Sequence, residues 1–183
     1  MASLVTTCTE QEKSSLLQFV AELSNDSGLT NSWKNSTDCC KWEGITCNSD
    51  GAVTDVFLAS RSLQGHISAT LGSLTSLQIL NLSHNSLSGY LPHELVSSSS
   101  LVVLDVSFNQ LTGQLQELSS SVSDLPIQIL NISSNLFSGE FTSTIWAAMK
   151  NLVALNASNN SLSGQMPGHF CINSPSLMRE HSP

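Results

Sequence analysis

Residues 77–89 read LQILNLSHNSLSG, and the same arrangement recurs four more times. The other copies are VTDVFLASRSLQG from Val53, LVVLDVSFNQLTG from Leu101, IQILNISSNLFSG from Ile127 and LVALNASNNSLSG from Leu152. Successive starts lie 24, 24, 26 and 25 residues apart, which is the spacing of a repeat architecture. Apolar residues fill the first, fourth, sixth and eleventh positions of each copy. The ninth position is Asn85, Asn109, Asn135 and Asn160, with Arg61 in the first copy. The thirteenth is Gly65, Gly89, Gly113, Gly139 and Gly164.

Leu80 and Leu82, with their equivalents, alternate with polar residues. Alternation predicts a short strand with one buried face. One such unit cannot bury that face alone, but neighbours stacked on it can. A column of Asn85, Asn109, Asn135 and Asn160 carries both donors and acceptors, so it predicts a structural hydrogen-bond ladder through the stack. The glycine suits a tight backbone position. The expectation is an α/β repeat solenoid with a short-stranded parallel sheet.

Two residues beyond each glycine stands Ile67, Leu91, Leu115, Phe141 or Met166, and Pro92 and Pro167 follow two of them. LNLSHNSLSGYLPHEL thus resembles the plant-type leucine-rich repeat, whose copies end in SGxIP. The resemblance implies a right-handed leucine-rich-repeat solenoid whose extra segment forms a second strand ladder. Ser68, Gln116 and Thr142 occupy the place where that family prefers proline. The expected organisation is a cap over 1–52, five repeats over 53–176, and an aborted sixth repeat with tail over 177–183.

A stack needs its first coil covered. Thr9–Glu12 reads TEQE, a capping-box signature. Leu16, Leu17, Phe19, Val20 and Leu23 follow at helical spacing and predict one amphipathic helix of about four turns, ended by Asn25, Asp26, Ser27 and Gly28. Trp33 and Trp42 are suited to covering the stack. The stretch Asp38–Cys47, DCCKWEGITC, lacks the paired spacing of a zinc site and the C-x-x-C of a redox centre, which leaves disulfides for Cys8, Cys39, Cys40 and Cys47. It also resembles the N-terminal cap of plant leucine-rich-repeat receptors, where SW…DCCxWxGxxC recurs. In that arrangement Cys8 with Cys39 would tie the helix start to the loop, and Cys40 with Cys47 would close the loop. Cys171 is left over and reads as a small buried residue.

Charged residues make up only 11% of the 183, under half the usual share, and the net charge is −8. Nucleic acid and anionic membranes are disfavoured as partners. No run of about 18 apolar residues occurs, so no membrane span is expected in this sequence. MASLVTTC at the start is too short and polar for an export signal, although the cysteines and glycosylation sequons point to an exported protein, extracellular or a plasma-membrane ectodomain. No catalytic motif appears, and His66, His84, His93, His169 and His181 share no metal-like spacing. Asp105 is a lone acid, so no enzyme activity, catalytic residue, metal or cofactor is expected.

Sequons occur at Asn25, Asn35, Asn81, Asn131, Asn156 and Asn159. Asn25 and Asn35 lie in loop-like cap sequence and are the better candidates, because the repeat consensus alone generates those at Asn81, Asn131 and Asn156. With Leu80 and Leu82 inside, the outward columns become Ile79/Val103/Ile129/Ala154, Asn81/Asp105/Asn131/Asn156 and Ser83/Ser107/Ser133/Ser158. Either the apolar column covers itself, or it and the polar column bind a protein or peptide, a receptor ectodomain being one such partner. Ile79, Asn81, Val103, Asp105, Phe108, Ile129 and Asn131 are the binding candidates, Phe108 foremost. Cap and repeats together look closest to the tyrosine-sulfated peptide receptor kinases. That resemblance implies an N-terminal ectodomain part in peptide-hormone signalling, but the family's hormone site lies in later repeats, so no hormone-binding residue transfers. The alternatives are a secreted short-repeat protein, acting as co-receptor or as inhibitor of an invader's cell-wall hydrolase, and a truncated product without independent function.

Overall fold

The structure, a computed structural model, describes residues 7–114 and 124–164. Helix α1 (Glu10–Ala21) leads into β1 (Leu23–Asn25), the single turn α2 (Leu29–Ser32) and a 3-10 turn at Cys39–Lys41. Next come β2 (Ile45–Cys47), β3 (Val53–Phe57), β4 (Gln64–His66), β5 (Ile79–Asn81) and β6 (Ser86–Tyr90). The rest are α3 (His93–Val96), β7 (Val103–Asp105), β8 (Gln110–Gly113), β9 (Ile129–Asn131), β10 (Leu136–Glu140), α4 (Ser143–Ala148), β11 (Ala154–Asn156) and β12 (Ser161–Ser163).

Each repeat contributes one strand to each of two sheets. The first sheet runs β2-β3-β5-β7-β9-β11, all parallel except β2. The second runs β1-β4-β6-β8-β10-β12, all parallel except β1. Leu82, Val106 and Ile132 are fully buried in one continuous cluster with Leu87, Leu111 and Phe137 from the second sheet. That cluster also takes in Phe19, Trp33 and Trp42 of the cap, so cap and repeats share a core. The chain is a leucine-rich-repeat solenoid with a short-stranded parallel sheet and a disulfide-bridged helical cap.

The asparagines bridge neighbouring coils. Asn109 Oδ1 accepts from Leu87 N at 2.9 Å, while its Nδ2 donates to Leu82 O and Val106 O at 3.0 and 3.1 Å. Asn85, Asn135 and Asn160 do the same one coil apart. Arg61 breaks the column because no coil precedes it; its guanidinium instead pairs with Glu43 at 2.6 Å.

The cap differs from expectation at the end of its helix. Helix α1 stops at Ala21, and Leu23 is not helical but lies in β1, opposite Gly65 of β4. Asn25 closes that strand rather than a loop. A Cβ on Gly65 would come within 2.5 Å of Glu22 O, so glycine is what lets β1 lie against the sheet. The helix start matches its signature: Glu12 N donates to Thr9 Oγ1, and Thr9 N donates to Glu12 Oε2. The indoles of Trp33 and Trp42 stack at 5.4 Å and are buried. Bonds join Cys8 to Cys39 and Cys40 to Cys47. Between them Asp38 Oδ1 accepts the backbone N–H of both Cys8 and Cys40, which accounts for the acid before the cysteine pair. Cys171, His169, His181, Leu115, Gln116, Met166, Pro167 and the tail 177–183 lie outside the described residues.

Candidate functional site

The outward face of the first sheet is set by register. Asp55, Ile79, Val103, Ile129 and Ala154 stand side by side, and so do Phe57, Asn81, Asp105, Asn131 and Asn156. Ile129 is 42% exposed and Val103 and Ile79 are half-buried, so the apolar column is covered only in part by its own neighbours.

The serine column departs from the sequence reading. Ser83, Ser107 and Ser133 are buried, whereas Ser158 stays exposed, and in each of the first three the hydroxyl donates to the Oδ1 two residues earlier, at 2.7, 2.6 and 2.8 Å. Asn81, Asp105 and Asn131 therefore spend one oxygen on their own turn. Asn131 Nδ2 also donates to Asp105 Oδ2 at 3.1 Å, so the lone acid of β7 is held within the ladder. A ligand meets a polar column that is partly satisfied internally, flanked by apolar side chains.

Phe108 is 50% exposed and stacks on His84 at 4.2 Å with ring planes 10° apart. Both take positive φ, 53° and 55°, which turns their side chains onto the outward face. Phe57 is 47% exposed beside Asn81. Sequence reasoning missed His84 and Phe57. Their signals were available: Phe57 occupies the register of Asn81, and His84 that of Phe108. Among the described residues, the registered columns of this face hold Asp55 and Asp105 as their ionisable groups, with His84 beside them, and no lysine or arginine.

Elsewhere, Arg61 beside Glu43 holds that carboxyl below its ordinary range through a hydrogen bond and opposite charge. Backbone N–H groups of Thr30 and Gly28 hold the Asp26 carboxyl low as well. Among the sequons, Asn35 is exposed in a turn and its side chain makes no hydrogen bond among the described residues. Asn25 Nδ2 donates to Ser62 O, Asn159 Nδ2 to Ser134 Oγ, and Asn131 is occupied in the ladder, while Asn156 is exposed and Asn81 half-buried. Asp38 lies close to the sulfurs of Cys8 and Cys40, but both sulfurs are spent in disulfides. No helix among the described residues is long and apolar enough to cross a membrane.

Stacked short strands, an amide ladder and a bridged cap define a leucine-rich-repeat recognition scaffold. Residues 9–48 match the leucine rich repeat N-terminal domain, and residues 53–111 and 151–172 match leucine rich repeats. Receptor-like protein 3 of Arabidopsis thaliana is 38% identical over 181 residues, covering 94% of this chain and 24% of that protein. Phytosulfokine receptor 2 of Arabidopsis thaliana is 39% identical over 79 residues, covering 42% of this chain and 8% of that protein. The solved ectodomain of the receptor kinase SOBIR1 from Arabidopsis thaliana overlays with a TM-score of 0.74 at 30% identity, covering 92% of this chain and 89% of that one. The chain belongs to the leucine-rich-repeat ectodomains of plant receptor-like proteins and kinases. It is a non-enzymatic module of that extracellular, receptor-like kind, and it spans a quarter or less of the two curated relatives.

Proposed function

We propose that the outward face of the first sheet recognises an extended protein or peptide segment, as part of a receptor-like protein in peptide-hormone signalling. The observation that carries this is the partly uncovered apolar column Ile79/Val103/Ile129 beside a hydrogen-bonding column, closed by the His84–Phe108 stack. An extended segment laid across a solenoid face meets one coil per step, and aromatic residues at its centre supply the anchors. Asp55 and Asp105, in columns without lysine or arginine among the described residues, disfavour an anionic, tyrosine-sulfated ligand on this face. The sulfated-peptide resemblance accordingly concerns the parent protein, and this segment contributes the cap, the first coils and a neutral-to-acidic contact surface. The likeness to Phytosulfokine receptor 2 and to the SOBIR1 ectodomain supports the receptor assignment.

The test is titration of the secreted, disulfide-bonded chain against sulfated and unsulfated peptide hormones and against purified receptor ectodomains. Binding that Phe108→Ala and Ile129→Asp each weaken tenfold or more supports the reading. Binding indifferent to both substitutions, or none to any of these ligands, overturns it.

A further inference from the structure

The outward face of the second sheet has a different chemistry. In its register Gln64 stands beside Ser86, and His66 beside Ser88, which stands beside Gln110. Together with Glu22 and Ser24 of the cap, these side chains bound an open cleft of about 420 Å³. Among the described residues no apolar side chain lines it, and no lysine or arginine. The Glu22 carboxylate is positioned by a 2.7 Å hydrogen bond from Ser68 Oγ. The side chains of Gln64, Ser86 and Gln110 have no partner among the described residues, so their donors and acceptors are available.

Beside this cleft the sheet is paved with rings. Tyr90 lies on the same face of β6 as Ser86 and Ser88 and is 72% exposed. Its ring lies across Gly113 of the next coil, where any Cβ would strike Cδ1 and Cε1. The His66 ring lies across Gly89 in the same way, one coil earlier. The registered glycine is thus a window that lets a planar side chain from the preceding coil lie against the sheet, one face open. Gln114 over Gly139 and Glu140 over Gly164 continue the series.

We propose that this cleft and its ring platform bind a neutral oligosaccharide lying along the stack. A sugar ring offers an apolar C–H face to Tyr90 and vicinal hydroxyls to Gln64, Ser86, Gln110 and Glu22. The Glu22 carboxylate, with no lysine or arginine among the described lining residues, selects against phosphate, sulfate and uronic acids. The absence of an apolar wall selects against lipids and drug-like molecules, whose pockets are mostly apolar. The site stands on a different sheet from the peptide face, so either can fail without the other.

The experiment uses the full secreted chain, stripped enzymatically of its own glycans, titrated with neutral β-1,4-linked glucan, xylan and mannan hexasaccharides, with a free high-mannose N-glycan, and with an oligogalacturonide. The expected result is a neutral saccharide bound with Kd below about 1 mM. Tyr90→Ala and Gln110→Ala each weaken it at least fivefold at an unchanged melting temperature, and Tyr90→Phe retains it. Preference for a linear hexasaccharide identifies a polysaccharide as the source, and preference for the N-glycan identifies a glycoprotein. Absence of neutral binding, stronger binding of the oligogalacturonide, or an affinity unmoved by Tyr90→Ala overturns the proposal.

Discussion

Glu12 Oε1 accepts the backbone N–H of Val53 at 2.8 Å, across 41 positions of sequence. The other carboxylate oxygen closes the capping box at the start of α1. One nearly buried side chain therefore finishes the helix and also satisfies the first donor of the first repeat strand. Glu12→Ala removes the cap contact and strands a buried N–H, for a cost of roughly 2–3 kcal/mol. Glu12→Gln keeps one acceptor oxygen and loses less. Urea denaturation of the two variants checks the order, and an alanine variant with the parent midpoint would contradict the coupling of cap to repeat.

The two sulfur bridges close loops of unequal length. Cys8–Cys39 spans 31 residues and Cys40–Cys47 spans 7. Chain entropy alone assigns about 3.7 kcal/mol to the first and about 2.4 kcal/mol to the second. Paired serine substitutions should follow that ranking in thermal melts under oxidising conditions. Equal losses would mean that native packing, rather than loop length, sets their value.

Asn109 joins the backbones of two successive coils through one amide. Asn109→Leu leaves Leu87 N without its acceptor, while Leu82 O keeps the donor Asn85 Nδ2, for a cost of about 2 kcal/mol. Hydrogen exchange offers a local reading: the Leu87 amide loses protection first. Retained protection at Leu87 in that variant would show the rung to be dispensable.

Asp26 takes N–H hydrogen bonds from Gly28 and Thr30, which hold its carboxyl below the usual aspartate range. Its folded pKa is lower than its unfolded pKa, so the stabilisation is complete above about pH 4 and is lost as pH falls through the folded value. Carboxyl NMR titration reads the shift directly. Asp26→Asn should flatten the acid limb of the stability profile without moving stability upward at pH 7.

Much of this architecture was legible because it is local. The capping box needs only Thr9 and Glu12, and the strand face needs only the alternation around Leu80 and Leu82. Five copies in register made the stack and the asparagine ladder inferable, since a lone half-apolar strand has nowhere to bury itself. The overlong helix had a local cause as well. Leu23 continues the helical spacing, and nothing near it in the chain reveals that Gly65, forty-two positions away, offers a sheet edge.

By itself the sequence determined the period, the buried face, the cap and the absence of catalytic motifs, because each is written in neighbours along the chain. Tertiary structure alone decided which outward residues a partner can reach. Ser83, Ser107 and Ser133 came to be buried, Phe57 and His84 joined the exposed face, and Tyr90 came to rest across Gly113. The stacking of Phe108 on His84 and the seat of Tyr90 depend on contacts between successive coils, and no single stretch of chain contains both halves of them.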